Sequence, residues 1–481
     1  MGRLTRRTML RGTSVTGMAA IAGSVLAACG ATPEAAPAAT QPATAAAEAA
    51  ATSALVATQP ATAAAEATAT SVPAAAAQEK VTIEFWYGWT PDMIVSTLDG
   101  IAAKFTESNP TIEVVTAQHE WGEKLLTAYA AGTPPDVHEH WLPMQFAARD
   151  LLLPVDDLVN SSKVVSVDLM PEVAWGVAAW KGEHYSVPSL AFFAETALVA
   201  NPVLYEKVGL KSPDDLPKTW DDAYAQAEKY TVFDGAGNLE TVWVTPDKSL
   251  RYNKCQFGVN DYDAENRRWL LDDPAWEEVV ESTARFYTLA GPDKIDAFGK
   301  TFPGWIAVPG SAFAADHLAL VTSGYWIPGE LDKNAPGKKF DYTWVPTGGA
   351  AKGKKVTHWG AHSLMIPKKG KHPQEAWLLV EHYDTVDSAQ AIFEGCGWIG
   401  PEKTFWDVMD VDRYQGLDFF VNHAAVEAEI QTVNSPSPAI AFAMDGFTQQ
   451  VVDPVIYGEK TAKEALADFQ IAVQEAEDKF V

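Results

Sequence analysis

The chain predicts a mixed α/β protein built around a parallel sheet with crossover helices. Three observations carry this expectation: a period-two strand starting at Val81, an amphipathic helix directly after it, and a strand–helix–strand–helix–strand order up to Trp141. Val81-Thr82-Ile83-Glu84-Phe85-Trp86 alternates, as a half-buried strand does. Ile94, Leu98, Ile101 and Phe105 then recur at spacings of four, three and four, which places them on one helix face between Met93 and Phe105. Asn109-Pro110 ends that helix, and Ile112 to Val115 reads as a second strand. Trp121 to Ala130 is helical with Leu125, Leu126 and Tyr129 apolar; Gly132-Thr133-Pro134-Pro135 turns the chain into a third strand, Val137 to Trp141. Such an order implies parallel strands joined by crossovers.

Later helices carry end signals. Thr219-Trp220-Asp221-Asp222 has an N-cap residue with acid in the first turn, Pro373 suits a first helical position, and Thr461 with Glu464 forms a capping box before Leu466, Phe469, Val473 and Ala476. The body after Val81 is about 400 residues, too large for one core.

The first residues carry a different message. Thr5-Arg6-Arg7-Thr8-Met9-Leu10-Arg11, an uncharged stretch from Thr13 to Ala28, and the ending Leu26-Ala27-Ala28-Cys29 make an export signal over residues 1–28, too short and too rich in small residues to span a bilayer. The paired arginines resemble a Tat signal, and the Leu-Ala-Ala-Cys ending resembles a bacterial lipobox, which implies lipid on Cys29. Residues 29–80 are about half Ala, without aromatic residues, and repeat Ala39-Thr40-Gln41-Pro42-Ala43-Thr44-Ala45-Ala46-Ala47-Glu48-Ala49 at Ala57 to Ala67. No repeat carries an apolar face to stack, so this is expected to be a disordered tether with roughly 40 Å of reach.

Past the signal the chain holds 32 basic residues against 63 acidic, a net of −31. That charge repels phosphate backbones and excludes nucleic acid as a partner. Membrane attachment is left to lipid on Cys29. Cys255 and Cys396 are expected as buried free thiols, with a disulfide the alternative that an oxidising compartment permits.

Several segments together resemble the extracellular solute-binding proteins of ABC importers, the family 1 sugar-binding type related to maltose-binding protein. They are Val81 to Trp89, Ala103 to Pro110, Lys124 to Val137 with its Gly132-Thr133-Pro134-Pro135-Asp136 turn, Leu151 to Leu158, Lys181 to Pro188, and Pro217 to Asp222. The similarity is collinear over the whole body. It implies a two-lobe periplasmic-binding-protein type II fold, with hinge-linked α/β lobes and a ligand cleft between them. By the same resemblance the first lobe comprises residues 81–190 plus 360–400 and the second 191–359 plus 401–481.

Tryptophan is abundant, at 17 residues. Trp377, in a helix middle, is expected in the core. Aromatics at strand ends and beside glycines are candidates for the cleft, because ligands sit off the carboxyl ends of parallel strands. Tyr87 and Trp89 end the first strand, Trp121 opens the second helix, Trp141 ends the third strand, and Trp326, Trp359 and Trp398 flank glycines. A flat ring covers the apolar face of a sugar while acids and amides bond its hydroxyls. The resemblance adds that Trp141 and Trp326 match positions of sugar-contacting aromatics, and that Glu195, just past the hinge crossing, matches a hydroxyl-binding acid. His138 and His140 share a strand face, and His358 and His362 form a second pair, but no cysteine or acid cluster with metal spacing accompanies them. No metal and no cofactor is expected, and His140 and His362 are alternatives for hydroxyl bonding. The acid pairs Asp156-Asp157, Asp272-Asp273 and Glu277-Glu278 read as helix N-terminal charges or solvated faces rather than a glycosidase pair. No nucleophile elbow, P-loop or His-Glu-x-x-His occurs.

The expected function is therefore a non-enzymatic, monomeric, lipid-anchored receptor outside the cytoplasm that closes on a carbohydrate, an oligosaccharide by preference, and hands it to an ABC permease. A peptide, polyol or glycerol phosphate ester receptor is the alternative within the class. A glycan hydrolase or lyase, or an adhesion protein, is the alternative outside it.

Overall fold

A computed structural model describes residues 80–119, 123–302 and 306–480. The leader, Cys29, the Ala-rich stretch and Trp121 lie outside the described residues. Among the described residues no helix is long and apolar enough to cross a membrane.

The first strand, β1 (Val81–Tyr87), alternates as expected, with Ile83, Phe85 and Tyr87 turned to one face. That face packs on helix α1 (Asp92–Ser108), whose Ile94, Leu98, Ile101 and Phe105 are all buried. Two amphipathic surfaces of different period thus close on each other, and the apolar area they remove from water is the main gain. Strand β2 (Ile112–Gln118) pairs parallel with β1, from Val81 opposite Ile112 to Tyr87 opposite Gln118. Helix α2 (Glu123–Ala131) buries Leu125 and leaves Leu126 exposed, so only part of its expected apolar face turns inward. Strand β3 (Val137–His140) pairs parallel with β1 on the other side.

Asp136, in the Gly-x-Pro-Pro-Asp turn, is the joint of this unit. Its carboxylate accepts the Glu84 N–H at 3.0 Å and the N–H groups of Lys371 and His372 at 2.9 and 3.0 Å. One side chain ties β1 to the segment that enters the helix Pro373–Tyr383, where Pro373 stands at the helix start as expected.

The chain then leaves the first sheet. Strand β4 (Val187–Ala194) is buried at every position, and β5 (Ala197–Ala200) begins a second sheet after Glu195 and Thr196. The second sheet is completed by β6 (Val232–Phe233), β7 (Leu239–Val244), β8 (Leu318–Ser323) and β9 (Asp341–Thr343), in the order β9-β5-β8-β7-β6. Strand β10 (Val356–Met365) returns to the first sheet, antiparallel to both β4 and β3. Strand β11 (Ile430–Val433) pairs parallel with β10, so the first sheet reads β11-β10-β3-β1-β2 with β4 also on β10. The 401–481 segment therefore gives one strand to the first sheet before its last helices join the other lobe. Those helices, including Ala462–Asp478, pack against Trp276, Val279 and Val280 in the core of the second lobe. Thr461 and Glu464 make the expected capping box, and Thr219 with Asp222 makes another.

Among the described residues three chain crossings join the lobes, and two run side by side. The Glu195 N–H donates to the His358 carbonyl at 2.7 Å, and the Thr196 hydroxyl donates to the Val356 carbonyl at 3.1 Å. The third crossing follows β11. There the Lys254 ammonium donates to Asp261 at 3.0 Å and to Ser435 at 2.9 Å, holding the crossing to the second lobe through a buried ion pair.

Cys255 and Cys396 are both buried and unbonded. Burial pushes the Cys255 thiol up to about 12. Thiol titration of the native protein at pH 8 is expected to leave both unreactive, and denaturation is expected to expose both. Reaction of either in the native state would place it at a solvent-open site.

Candidate functional site

The carboxyl ends of β1 and β3, the middle of β10 and the hinge crossing hold two buried acidic side chains, one inside the first lobe and one at the crossing. The first is Glu139, fully buried on β3. Its carboxylate accepts the Gly88 N–H at 3.1 Å and faces the His362 Nδ1 at 2.7 Å, while the His119 Nε2 stands 2.8 Å from the Glu139 carbonyl and 3.8 Å from its carboxylate. Against His362 lies an aromatic pair. Trp89 and Trp398 are 4.6 Å apart between ring centroids, and Trp89 and His362 are 4.7 Å apart. The expected residues Trp89 and Trp398 thus meet, although one follows β1 and the other lies more than three hundred positions later.

The second acid is Glu195, at the hinge crossing and 2% exposed. The Tyr252 hydroxyl donates to it at 3.3 Å and accepts from the Arg251 guanidinium at 2.7 Å; that guanidinium also stands 3.4 Å from the Glu195 carboxylate. Burial is the largest cause that pushes the Tyr252 hydroxyl well above its ordinary range, so it stays a neutral donor. Arg251 and Tyr252 open the helix Leu250–Phe257. The guanidinium lies 4.8 Å from the ring of Trp141, at the end of β3, and 4.4 Å from the ring of Tyr252. Trp141 and Glu195, both expected, are therefore joined by a residue that the sequence reading did not single out.

A row of rings links the two acids. His119 stacks on His140 at 6.0 Å, and His140 on Trp141 at 6.3 Å. Burial first, then the neighbouring histidines, holds His140 well below its ordinary value, so it is neutral and free of charge repulsion within the row. Beside Trp141 lies a cavity of ≈ 220 Å³ lined among others by Met144, Val177, Val433, Asn434 and Ile440, drawn from both lobes and from the third crossing.

The other expected residues take different places. Tyr87 turns into the core beneath α1, 1% exposed, and its hydroxyl donates to Asp99 at 2.8 Å. It is a strut, because strand alternation sends it to the same face as Ile83 and Phe85. Trp359 is 8% exposed, stacked on Phe192 at 5.3 Å, with its indole N–H donated to Gln431. Trp326 caps the helix Ile327–Asn334; its ring lies over Gly324 and its indole N–H has no partner. Trp377 is core, as expected. His138 and His140 both pack on Phe146, and the Tyr129 hydroxyl stands 2.7 Å from His138. Among the described residues no three His, Cys, Asp or Glu side chains converge on a point that would hold a metal.

The lobes also meet between two helices. Gly329 of the helix Ile327–Asn334 faces Gly397 at the end of the helix Val386–Cys396, and a Cβ on Gly329 would come within 2.5 Å of the Gly397 Cα. Lys333 donates to the Glu394 carbonyl at 2.8 Å beside it.

The family model for bacterial extracellular solute-binding proteins matches residues 90–385. The chain belongs to that family. Solved structures share its type II binding-protein fold. A protein named CpMnBP1, with mannobiose bound, is 20% identical at a TM-score of 0.73, over 82% of this chain and 100% of that one. The GacH receptor of Streptomyces glaucescens, solved unliganded and with acarbose, is 18% identical at 0.67, over 83% and 99%. A maltose/maltodextrin-binding domain from Bdellovibrio bacteriovorus, bound to maltotriose, is 18% identical at 0.65, over 82% and 99%. At these identities the likeness is one of fold. No curated relative matches the chain. In this solute-binding protein Arg251 and Tyr252 escaped the sequence reading because nothing in Ser249-Leu250-Arg251-Tyr252 departs from an ordinary helix start.

Gly360 of β10 leaves room for Glu195: a Cβ there would come within 1.8 Å of the carboxylate. Gly360→Ala is expected to lower stability by about 1–3 kcal/mol, read as a lower urea midpoint at unchanged m. An unchanged midpoint would mean that Glu195 is not held over this glycine.

Proposed function

We propose that this solute-binding protein is a non-enzymatic receptor for a carbohydrate, an oligosaccharide by preference, that delivers its ligand to an ABC permease. The observation that carries the reading is the seam itself. Aromatic faces (Trp89, Trp398, Trp141) lie beside buried carboxylates and their donors (Glu139 with His362, Glu195 with Tyr252), from the first lobe across the hinge crossing. This is the chemistry that a sugar's apolar faces and hydroxyl edges require. Trp326 adds an indole N–H without a partner on the second lobe. The sugars named with the structural neighbours (mannobiose, acarbose, maltotriose) support the same class. Both carboxylates are engaged by protein donors, which suits binding rather than hydrolysis.

Binding works by closure. A ligand that touches both lobes binds the closed state better and shifts the population there. A permease then reads the closed shape. On this reading residues 1–28 direct export, and lipid on Cys29 with residues 29–80 as a spacer holds the receptor as a monomer at the membrane near its permease. Labelling with a radioactive fatty acid is expected to mark the wild type and not Cys29→Ala.

Intrinsic Trp fluorescence and calorimetry against mono-, di- and oligosaccharides are expected to show binding of an oligosaccharide, which is recovered intact. Silence towards every sugar, with tight binding of a peptide or polyol, would overturn the ligand class; a shortened sugar would overturn the receptor reading. Because Gly329 and Gly397 touch across the lobes, Gly329→Val is expected to prop the cleft open, with a larger radius of gyration in X-ray scattering and at least tenfold weaker binding. An unchanged scattering curve with unchanged affinity would remove this contact from the closure.

A further inference from the structure

We propose that Arg251 is a built-in competitor for the face of Trp141, a latch that holds the lobes together without ligand and that ligand must displace. The proposal rests on the reading of the seam as a sugar site. Trp141 follows β3 of the first lobe, whereas Arg251 opens the helix Leu250–Phe257 of the second, so their contact spans the seam. The guanidinium stands 4.8 Å from the Trp141 ring and 4.4 Å from Tyr252, so one cation is shared by an aromatic ring from each lobe. Glu195, at the hinge between them, stands 3.4 Å from it and fixes its position. A planar guanidinium on an indole occupies the space that a pyranose would occupy, with its N–H groups where hydroxyls would be.

The other ring stacked on Trp141 does not move aside as easily. His140 is 3% exposed, and its Nδ1 accepts the Leu142 N–H at 3.0 Å. Arg251 hangs on a flexible stem with 20% of its side chain exposed, and it is the group that a ligand pushes away. The latch exists only in the empty closed state, because a sugar on Trp141 breaks it. Removing it therefore raises the free energy of the empty protein and leaves the bound state alone. The sign is opposite to that of an ordinary ligand contact: losing the side chain tightens binding, by about 2- to 30-fold for a contact of this kind.

The test uses the full chain as wild type, Arg251→Gln and Arg251→Lys. Gln keeps a planar hydrogen-bonding end for Glu195 without the charge. Lys keeps the charge without the plane. Cooperative urea unfolding of each confirms that it folds. X-ray scattering of the empty proteins is expected to show a larger radius of gyration for both variants, most for Arg251→Gln, and calorimetry with mannobiose and maltotriose is expected to give a lower Kd for Arg251→Gln. Scattering unchanged in both variants overturns the latch. So does a Kd that rises tenfold or more, which would make Arg251 a ligand-binding donor. If neither sugar binds even the wild type, that result counts against the carbohydrate reading, and the scattering of the empty proteins decides the latch on its own.

Discussion

The seam depends on the pairing of two strands where they pass between the sheets. Strands β4 and β10 run antiparallel from Val187 opposite Leu364 to Ala194 opposite Trp359, and the Glu195 N–H continues the ladder onto the His358 carbonyl. Buried backbone must keep its hydrogen bonds, so the two crossings cannot separate without a large cost. They can twist together. On the proposed reading, this twist about Glu195 is the motion by which the lobes close.

From that constraint the polar content of the seam follows. An acid at the crossing is necessarily buried, and a buried charge must be paired. Glu195 is paired by Arg251 and Tyr252, and Glu139 is held by Gly88 and His362. The same donors that stabilise these acids lie beside the aromatic rings. On the proposed reading, structure and recognition draw on one set of side chains. Gly360 and Gly329 mark the two places where backbone must come close enough for this to work.

Much of the fold was legible in the chain. The alternation at Val81 and the four-three-four spacing in the next helix predicted which residues are buried, because period alone decides which face a side chain occupies. The capping signals at Thr461 and the start at Pro373 were equally local and equally readable. The site was legible only in part. Trp141 and Glu195 meet through Arg251 at the crossing, while Trp89 and Trp398 pack together against His362 and are buried. Tyr87, though at a strand end, lies in the core, as its alternation with Phe85 implies. Trp359 sits at the seam-facing crossing but is sealed by Phe192 and Gln431.

What the sequence determined by itself was periodicity, helix ends, the family and the chemical types available for binding. These follow from neighbours within a few positions, or from collinear motifs. Only the tertiary structure decided that Arg251 lies on Trp141, that Glu139 faces His362, and that Gly329 meets Gly397. Each of those contacts joins residues more than sixty positions apart, through strand pairing within a sheet, helix packing or the meeting of the lobes. No local pattern encodes the distance between such residues, because it is set by which strands and helices the whole fold brings side by side.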